Sequence, residues 1–256
     1  MASMVTDASP GSSGTGLALA QLWGGRPAVR PGPKPKLSID TIVDAALRIA
    51  RAEGLAAVTM QRVAEEAGCA KMALYRHVSD RTDLLAAVVD AALGEPPPLL
   101  GGWREQFAIL WDGLADLYRR DAWLLDLPPD IDALTPRNVA WIDAGLSLFE
   151  ATDLCSGERW GLVLLITENA RLVARQQRAA GSPIDDLDRL LVTAASAGAK
   201  LPAARYPHLA RAAATRGDLE TIGPAAQVRE VMIRAIASHF PANPPPPQPP
   251  HSPGVL

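Results

Sequence analysis

Apolar residues recur at helical spacing from residue 39 onwards. The first run follows the i, i+3, i+4, i+7 pattern of an amphipathic helix and comprises Ile39, Ile42, Val43, Ala46, Leu47 and Ala50. Ser38 precedes this run as a helix N-cap, and Gly54 ends it. The pattern also predicts a short helix after Thr59, a second short helix over about 70–77 and a longer helix after Asp80. We find no alternation of apolar and polar residues typical of a β-strand.

Helical patterns continue through the C-terminal half and are separated by proline and glycine clusters. The predicted helices span about 103–119, 122–127, 136–151, 156–180, 186–198 and 224–239, with a further short helix within 201–215. The whole pattern therefore predicts an all-α protein.

The two ends of the chain have a different composition. Residues 1–16 are rich in serine and glycine, and the apolar stretch 17–23 is too short to form a stable helix alone. The sequence leaves open whether this stretch docks on the folded body. Residues 26–36 carry four positive charges, no negative charge and four prolines, which predicts a stiff, extended arm. The proline-rich tail 241–256 is interpreted as a passive solvated segment rather than a polyproline ligand.

These boundaries predict four regions. They are a flexible N-terminal extension with the basic arm (1–36), a three-helix helix-turn-helix domain (37–84), a larger helical ligand-binding and dimerisation domain (85–240), and a disordered tail (241–256).

The overall composition excludes several classes of protein. Apolar residues make up 48% and charged residues 21% of the 256 positions, and the net charge is −3, so the chain as a whole is not basic. The two cysteines and four histidines do not have the spacing of a zinc site, and no metal or cofactor is expected. No apolar run reaches the ~18 residues of a membrane-spanning helix, and no signal peptide is recognised. A cytoplasmic location is expected.

The segment TMQRVAEEAGCAKMALYRHV, residues 59–78, carries the main functional pattern. Two short helices flank a tight turn at Gly68, a position suited to a left-handed backbone. Val63 and Leu74 are expected to pack across the turn and to fix the angle between the helices. Such a pair forms a helix-turn-helix, whose second helix enters the major groove of DNA. A helix pair of an ordinary all-α protein is the alternative reading of this spacing.

The side chains that the core does not need suit DNA. Lys71 and Arg76 reach phosphates or guanine edges, and Met72 and Ala73 allow contact with thymine methyl groups. The Tyr75 hydroxyl and the amide groups near Thr59 are candidates for phosphate contacts.

Residues 38–89 resemble the N-terminal domain of the TetR family of regulators. The resemblance lies in IVDAALRIARAEGLAAVTMQRVAEEAGCAKMALYRHVSDRTDLLAAVVD, above all in LYRHV followed by Arg81-Thr-Asp-Leu-Leu. It implies that Tyr75, His77 and Arg81 meet the DNA backbone. It further implies contacts to bases or phosphates from Gln61, Lys71, Met72, Ala73 and Arg76. Ala70 and Met72 depart from the common family pattern, which makes individual base contacts hard to assign.

The local charge points to a contribution from the arm. Residues 37–90 contain six basic and eight acidic side chains, a net charge of −2. We therefore expect Arg30, Lys34 and Lys36 to supply much of the attraction to phosphate, with entry into a minor groove as one form of contact. A solvated linker is the alternative.

Residues 99–240 resemble, more weakly, the ligand-binding and dimerisation domain in the branch of the tetracycline repressor. The stretch WGLVLLIT at 160–167 is apolar on all sides, and the last helix carries an apolar stripe. The resemblance implies a homodimer through a four-helix bundle. The interface candidates are Leu165, Leu172, Val228, Val231, Met232 and Ala235.

The same resemblance suggests a ligand pocket. Its candidate residues are Trp111, Trp141, Phe149, Trp160, Thr167, Glu168 and Asn169. Taken singly, each tryptophan fits an ordinary core better than a ligand site, and the dimer seam is the alternative position for Asn169. No histidine lies between His77 and His208, so the magnesium and the ligand of the tetracycline repressor are not carried over.

Together with what the resemblance implies, these patterns predict a homodimeric repressor that binds double-stranded DNA at a palindromic operator and is released by a small-molecule effector. An effector-independent regulator or activator with the same DNA-binding domain is the first alternative. A helical enzyme is a remote alternative, because the sequence contains no recognisable catalytic constellation.

Overall fold

The computed structural model describes residues 17–24, 37–128, 134–180, 205–208, 211 and 224–240, and these residues form an all-α protein without strands. The α-helices are α1 (Leu17–Trp23), α2 (Ile39–Glu53), α3 (Met60–Glu66), α4 (Lys71–Leu74), α5 (Arg81–Leu93), α6 (Trp103–Arg120), α7 (Pro136–Ser147), α8 (Ser156–Ala180) and α9 (Pro224–Ile236). Short 3₁₀ helices span Leu55–Ala57, Ala122–Asp126 and Ala237–His239. The predicted all-α class is confirmed.

Several sequence-based expectations lie outside the described residues. They are the flexible start 1–16, the basic arm 26–36, the helix at 186–198, most of the helix within 201–215, and the tail 241–256. No helix in the described part of the chain is long and apolar enough to cross a membrane.

The chain divides into two compact units. The first comprises Met1–Gly94 and Asp126–Val139, and the second comprises Glu95–Leu125 and Ala140–Leu256. The division falls within α7, so this helix begins in the first unit and ends in the second.

Helix α2 begins at the predicted cap. The Ser38 hydroxyl accepts a hydrogen bond from the Thr41 amide, and the Thr41 hydroxyl accepts one from the Ser38 amide, which forms a capping box. The buried face of α2 includes Ile42, Ala46 and Ile49, and it packs against α3 and α5. Burial of this face orients the helix-turn-helix that follows.

The turn between α3 and α4 has the predicted geometry. Gly68 adopts φ 66°, in the left-handed region, and the Cys69 amide donates to the carbonyl of Ala64. Val63 and Leu74 are both fully buried. The turn is therefore held by a backbone conformation suited to glycine and by two apolar anchors.

Helix α4 is shorter than the predicted span of 70–77. Ala70 supplies no side-chain cap, and beyond Leu74 the amides of Arg76 and His77 donate to carbonyls three residues back. The helix therefore ends in tight turns, while the fully buried Val78 anchors the chain before α5.

Helix α5 forms the centre of the first unit, since nine of its thirteen residues are buried. Asp80 caps its N-terminus by accepting from the Asp83 amide at 2.9 Å. At the other end of the helix, the buried Asp90 carboxylate accepts hydrogen bonds from the Arg137 amide and guanidinium, each at 2.9 Å. The start of α7 is thereby attached to α5.

The stretch 17–23 forms helix α1 and packs against α5. Ala18 is fully buried, and the first amides of α1 donate to Ser79 and Asp83. Within the extension expected to be flexible over 1–36, this part is therefore helical. The tertiary contact stabilises a helix too short to persist alone.

The second unit is built on α6 and α8, which pack against each other and against α9. Phe107 and Trp111 of α6 and Ile166 of α8 are almost completely buried. Trp103 and Phe240 stack with ring centroids 4.0 Å apart, which secures the segment after α9.

Candidate DNA-binding surface and helical ligand-binding unit

Helix α4 and the turn after it carry six of the twelve residues predicted to contact DNA, and four of these six are exposed. Met72 is 75% exposed and Tyr75 is 38% exposed, and Lys71 and Arg76 are also exposed. Ala73 and His77 are half-buried. These six predicted residues lie within seven consecutive positions, around the buried anchor Leu74.

The two candidates at the start of α3 are exposed and hydrogen-bonded locally. The Thr59 hydroxyl accepts from the Arg62 amide at 3.2 Å, and the Thr59 amide donates to the carbonyl of Ala57. The Gln61 side chain donates to Glu65 at 2.8 Å. The amides of Thr59 and Arg62 thus already have acceptors, so fewer free N–H groups remain at the start of α3 for a phosphate.

Arg81 has a structural contact that the sequence analysis missed. Its guanidinium donates to the carbonyl of Val58 at 2.7 Å and to that of Leu55 at 3.0 Å. These bonds tie the start of α5 to the segment before α3. A backbone carbonyl acceptor leaves no signature in the sequence, so only the structure reveals this role. The DNA contact of Arg81 stays a prediction.

Ion pairs between α2 and α3 account for much of the local charge. Arg62 pairs with Glu53 at 2.7 Å and with Glu66 at 3.2 Å, and Arg48 pairs with Glu66 at 3.1 Å. The hydrogen bonds from Arg48 and then Arg62 hold the pKa of Glu66 below its ordinary value. Two acidic groups of this network are thus matched by basic partners within the unit.

Two further acidic side chains are buried. Asp83 accepts from backbone amides, and Asp90 accepts from Arg137. The negative net charge of residues 37–90 is therefore partly internal. Lys71 and Arg76 remain as the exposed basic side chains of α4 and the turn after it. The arm residues Arg30, Lys34 and Lys36 lie outside the described residues.

The predicted ligand-pocket residues fall into two groups. Trp111, Trp141 and Phe149 are buried in the second unit, and Trp141 lies so close to Gly113 that a Cβ there would be 3.1 Å from its ring. Trp160 is 44% exposed on α8. The aromatic core and the exposed part of α8 are therefore separate environments.

The polar candidates belong to the α8 group. Glu168 is exposed, whereas Thr167 and Asn169 are half-buried. The Thr167 hydroxyl donates to the carbonyls of Val163 and Leu164, and the Asn169 side chain donates to the carbonyl of Leu165. Thr167 and Asn169 are therefore hydrogen-bonded to their own helix.

An apolar groove of about 890 Å³ lies between α8 and α9. Its lining residues are Leu154, Glu158, Gly161, Leu162, Leu165, Asn169, Val228, Val231, Met232, Ala235, Ile236 and His239. Five of the six predicted dimer-interface residues line this groove; the sixth, Leu172, is 51% exposed on α8. Leu165 and Val231 are 49% and 65% exposed. Large apolar side chains thus face solvent on both helices.

These features define a class: an all-helical protein that carries a helix-turn-helix unit of the DNA-binding type and a second helical unit with an aromatic core. Residues 42–88 match the family model described as bacterial regulatory proteins of the tetR family. The HTH-type transcriptional repressor DrrR1 of Streptomyces coeruleorubidus is 35% identical over 173 residues. That match covers 65% of this chain and 63% of the relative, which is less than two thirds of its length.

Solved structures agree with this assignment. Apo ActR from Streptomyces coelicolor superposes with a TM-score of 0.64 at 26% identity, covering 81% of this chain and 98% of ActR. ActR in complex with actinorhodin gives a TM-score of 0.63 at 26% identity, covering 82% and 99%. Residues 42–88 therefore carry the DNA-binding domain of the TetR family, and the fold over most of the chain is similar to that of ActR, which confirms the resemblance. Both relatives are transcriptional regulators, in agreement with the prediction of a regulator rather than an enzyme.

Proposed function

We propose that the chain is a homodimeric repressor that binds a palindromic DNA operator through its helix-turn-helix and leaves it when a small molecule binds the second unit. The observation that carries the DNA-binding part is the exposed surface of α4, where Met72 is 75% exposed next to Lys71. An unbranched apolar side chain so exposed on a four-residue helix is suited to the floor of a major groove. A bacterial regulator of this kind works in the cytoplasm, where its operator is.

The similar proteins support the proposals that the chain is a repressor and that it responds to a small-molecule effector. DrrR1 is a transcriptional repressor, and ActR has been solved with actinorhodin and with (S)-DNPA. In this chain, the buried Trp111, Trp141 and Phe149 offer an aromatic environment for an apolar effector. We assign Trp160, Thr167, Glu168 and Asn169 a secondary role, since they lie on the more exposed α8 group.

The exposed apolar groove between α8 and α9 supports the proposal of a homodimer. One recognition helix reads too few base pairs for selectivity, and a two-fold dimer doubles the contact and requires an inverted repeat. The exposed Leu165, Leu172 and Val231 are the side chains that a second copy would cover. The basic arm and the remaining DNA candidates, Thr59, Gln61 and Arg81, complete the proposed DNA-binding surface.

Selection of bound duplexes from a random DNA pool at physiological salt tests the proposal. We expect enrichment of an inverted repeat by the folded full-length chain. The absence of any enriched sequence would contradict the proposed function. Actinorhodin, the ligand of ActR, is then titrated into the complex, with release of the DNA as the expected result. Operator binding that no member of an aromatic ligand library reverses would favour the effector-independent regulator.

A further inference from the structure

Helix α1 is attached to the turn between α4 and α5 by an unusual set of hydrogen bonds. The Leu17 amide donates to the Ser79 hydroxyl at 3.0 Å. The Ala18 and Leu19 amides donate to the two carboxylate oxygens of Asp83 at 3.0 and 3.1 Å. The first amides of a helix have no partners within it, and they carry a partial positive charge. The Asp83 carboxylate satisfies two of them at once.

Asp83 also organises its own turn. The carboxylate, on a side chain that is 6% exposed, accepts a third bond from the Ser79 amide at 2.8 Å. One buried group therefore joins α1, the end of the α4–α5 turn and the first turn of α5. Loss of the charge would leave these three amides, of which that of Ala18 is buried, with a weaker acceptor.

The other end of α1 is attached as well. The Trp23 indole donates to the carbonyl of Leu134 at 3.0 Å, just before α7. The first turn of α7 is in turn held by the pair between Arg137 and Asp90 of α5. Helix α1 therefore connects the α4–α5 turn to the start of α7, entirely within the first unit.

We propose that α1 is an intramolecular brace that holds the α4–α5 turn in its DNA-binding arrangement, with Asp83 as the positioning residue. The proposal rests on the proposed DNA-binding function. Ser79 lies three residues after the exposed Arg76 and two before α5, so the position of this turn affects how the surface of α4 is presented relative to α5. A brace raises affinity because a larger fraction of the free protein is already competent to bind.

This mechanism differs measurably from a phosphate contact. Helix α1 reads LALAQLW and carries no charge, so it neutralises no phosphate. Release of α1 should weaken operator binding by the same factor at every salt concentration and leave the slope against salt unchanged. Loss of a basic contact would instead lower that slope.

A matched pair of substitutions in α1 tests the brace. Ala18→Glu places a charge at a fully buried position, and Ala20→Glu places the same charge at an exposed position of the same helix. With the full-length chain and its selected operator, we expect Ala18→Glu to weaken binding about tenfold or more with an unchanged salt slope. Ala20→Glu should stay within about twofold of the unsubstituted protein. Hydrogen exchange of the Leu17–Leu19 amides reports whether α1 is released.

Two gentler substitutions keep the test decisive if Ala18→Glu fails to fold. Asp83→Asn preserves side-chain size but removes the charge, and Trp23→Phe removes only the indole donor. Both should accelerate hydrogen exchange of the α1 amides, and the variant with the faster exchange should bind the operator more weakly.

The outcomes separate this proposal from the proposed function. Released α1 with unchanged affinity of the folded protein would overturn the brace and leave α1 as a stabilising helix that only shifts Tm. Failure of the unsubstituted protein to select any DNA would overturn both proposals.

Discussion

At the scale of single residues, some side chains of α4 anchor the helix in the core and others face solvent. Leu74 is fully buried and holds the helix, while Lys71 and Met72 are exposed. The guanidinium of Arg81 is occupied by the carbonyls of Leu55 and Val58. The side chains with the greatest freedom to reach DNA are therefore those of α4 and the turn after it.

Substitution at Met72 and Arg76 should have different effects on DNA recognition. Met72→Ala removes an apolar contact to a base edge, so it should relax preference at one operator position, by roughly 1 kcal/mol. Arg76→Ala should weaken binding to all sequences and reduce the salt slope by about one. Binding of a panel of single-base operator variants at several salt concentrations measures both. Equal weakening of every operator by Met72→Ala would contradict its assigned role.

A Cβ at Gly68 would fit sterically, but the backbone conformation of this residue is unfavourable for residues that carry a Cβ. Apart from Gly68 and its two chain neighbours, no atom lies within 4 Å of the position that a Cβ would take, yet φ is 66°. Gly68→Ala should therefore lower the free energy of unfolding by about 1 kcal/mol, from backbone strain alone. Gly68→Asn should lose less, because asparagine adopts this conformation more readily. Chemical denaturation of both variants decides the point, and equal losses would show that strain is not the cause.

At the scale of elements, hydrogen-bonded ions determine how the helices of the first unit are joined. Arg48, Arg62, Glu53 and Glu66 connect α2 to α3 at the surface. Asp90 and Arg137 connect α5 to α7 with a carboxylate that is almost fully buried. Exposed ion pairs contribute little individually, whereas a buried carboxylate depends strongly on its partner.

The Glu66 network should make stability dependent on acid pH. The pKa of Glu66 is lower in the folded than in the unfolded chain, so its contribution to stability is present above its ordinary pKa of 4.5 and is lost as the pH falls through the folded pKa. We expect Glu66→Gln to melt at a lower Tm than the unsubstituted protein at pH 7, with the difference shrinking as the pH falls below 4.5. Glu65→Gln is the control, because Glu65 accepts from neutral Gln61. A pH-independent difference would refute the assignment to this ionisation.

At the scale of the whole molecule, the groove of about 890 Å³ between α8 and α9 exposes large apolar side chains to solvent. Large apolar side chains exposed together mark an interaction surface. The proposed homodimer would place a second copy of the chain there, because a two-fold pair reads an inverted repeat.

A charge in this groove should dissociate the proposed dimer. Val231→Glu places a carboxylate on a side chain that is 65% exposed and lines the groove. We expect a monomer in sedimentation analysis and at least tenfold weaker binding to the full operator, since one half-site alone is held. Leu100→Glu is the matched control, because Leu100 is 68% exposed but lies outside the groove lining. Dimers in both variants would exclude this surface as the interface.

Local sequence signals determined most of the elements. Capping at Ser38, Thr59 and Asp80, the left-handed Gly68, and the helical spacing of apolar residues all act within one or two turns of chain. The class of the fold and the surface of α4 were therefore predictable, and the resemblance to the TetR family agrees with the comparisons.

The contacts between distant segments depend on the packing of the folded chain. The acceptors of Arg81 and the docking of α1 on Asp83 involve residues 23 to 65 positions apart. Backbone carbonyls and amides are alike at nearly every position, so a residue pattern cannot predict hydrogen bonds to them. A seven-residue helix, unstable alone, exists because Asp83 and the buried contact of Ala18 stabilise it.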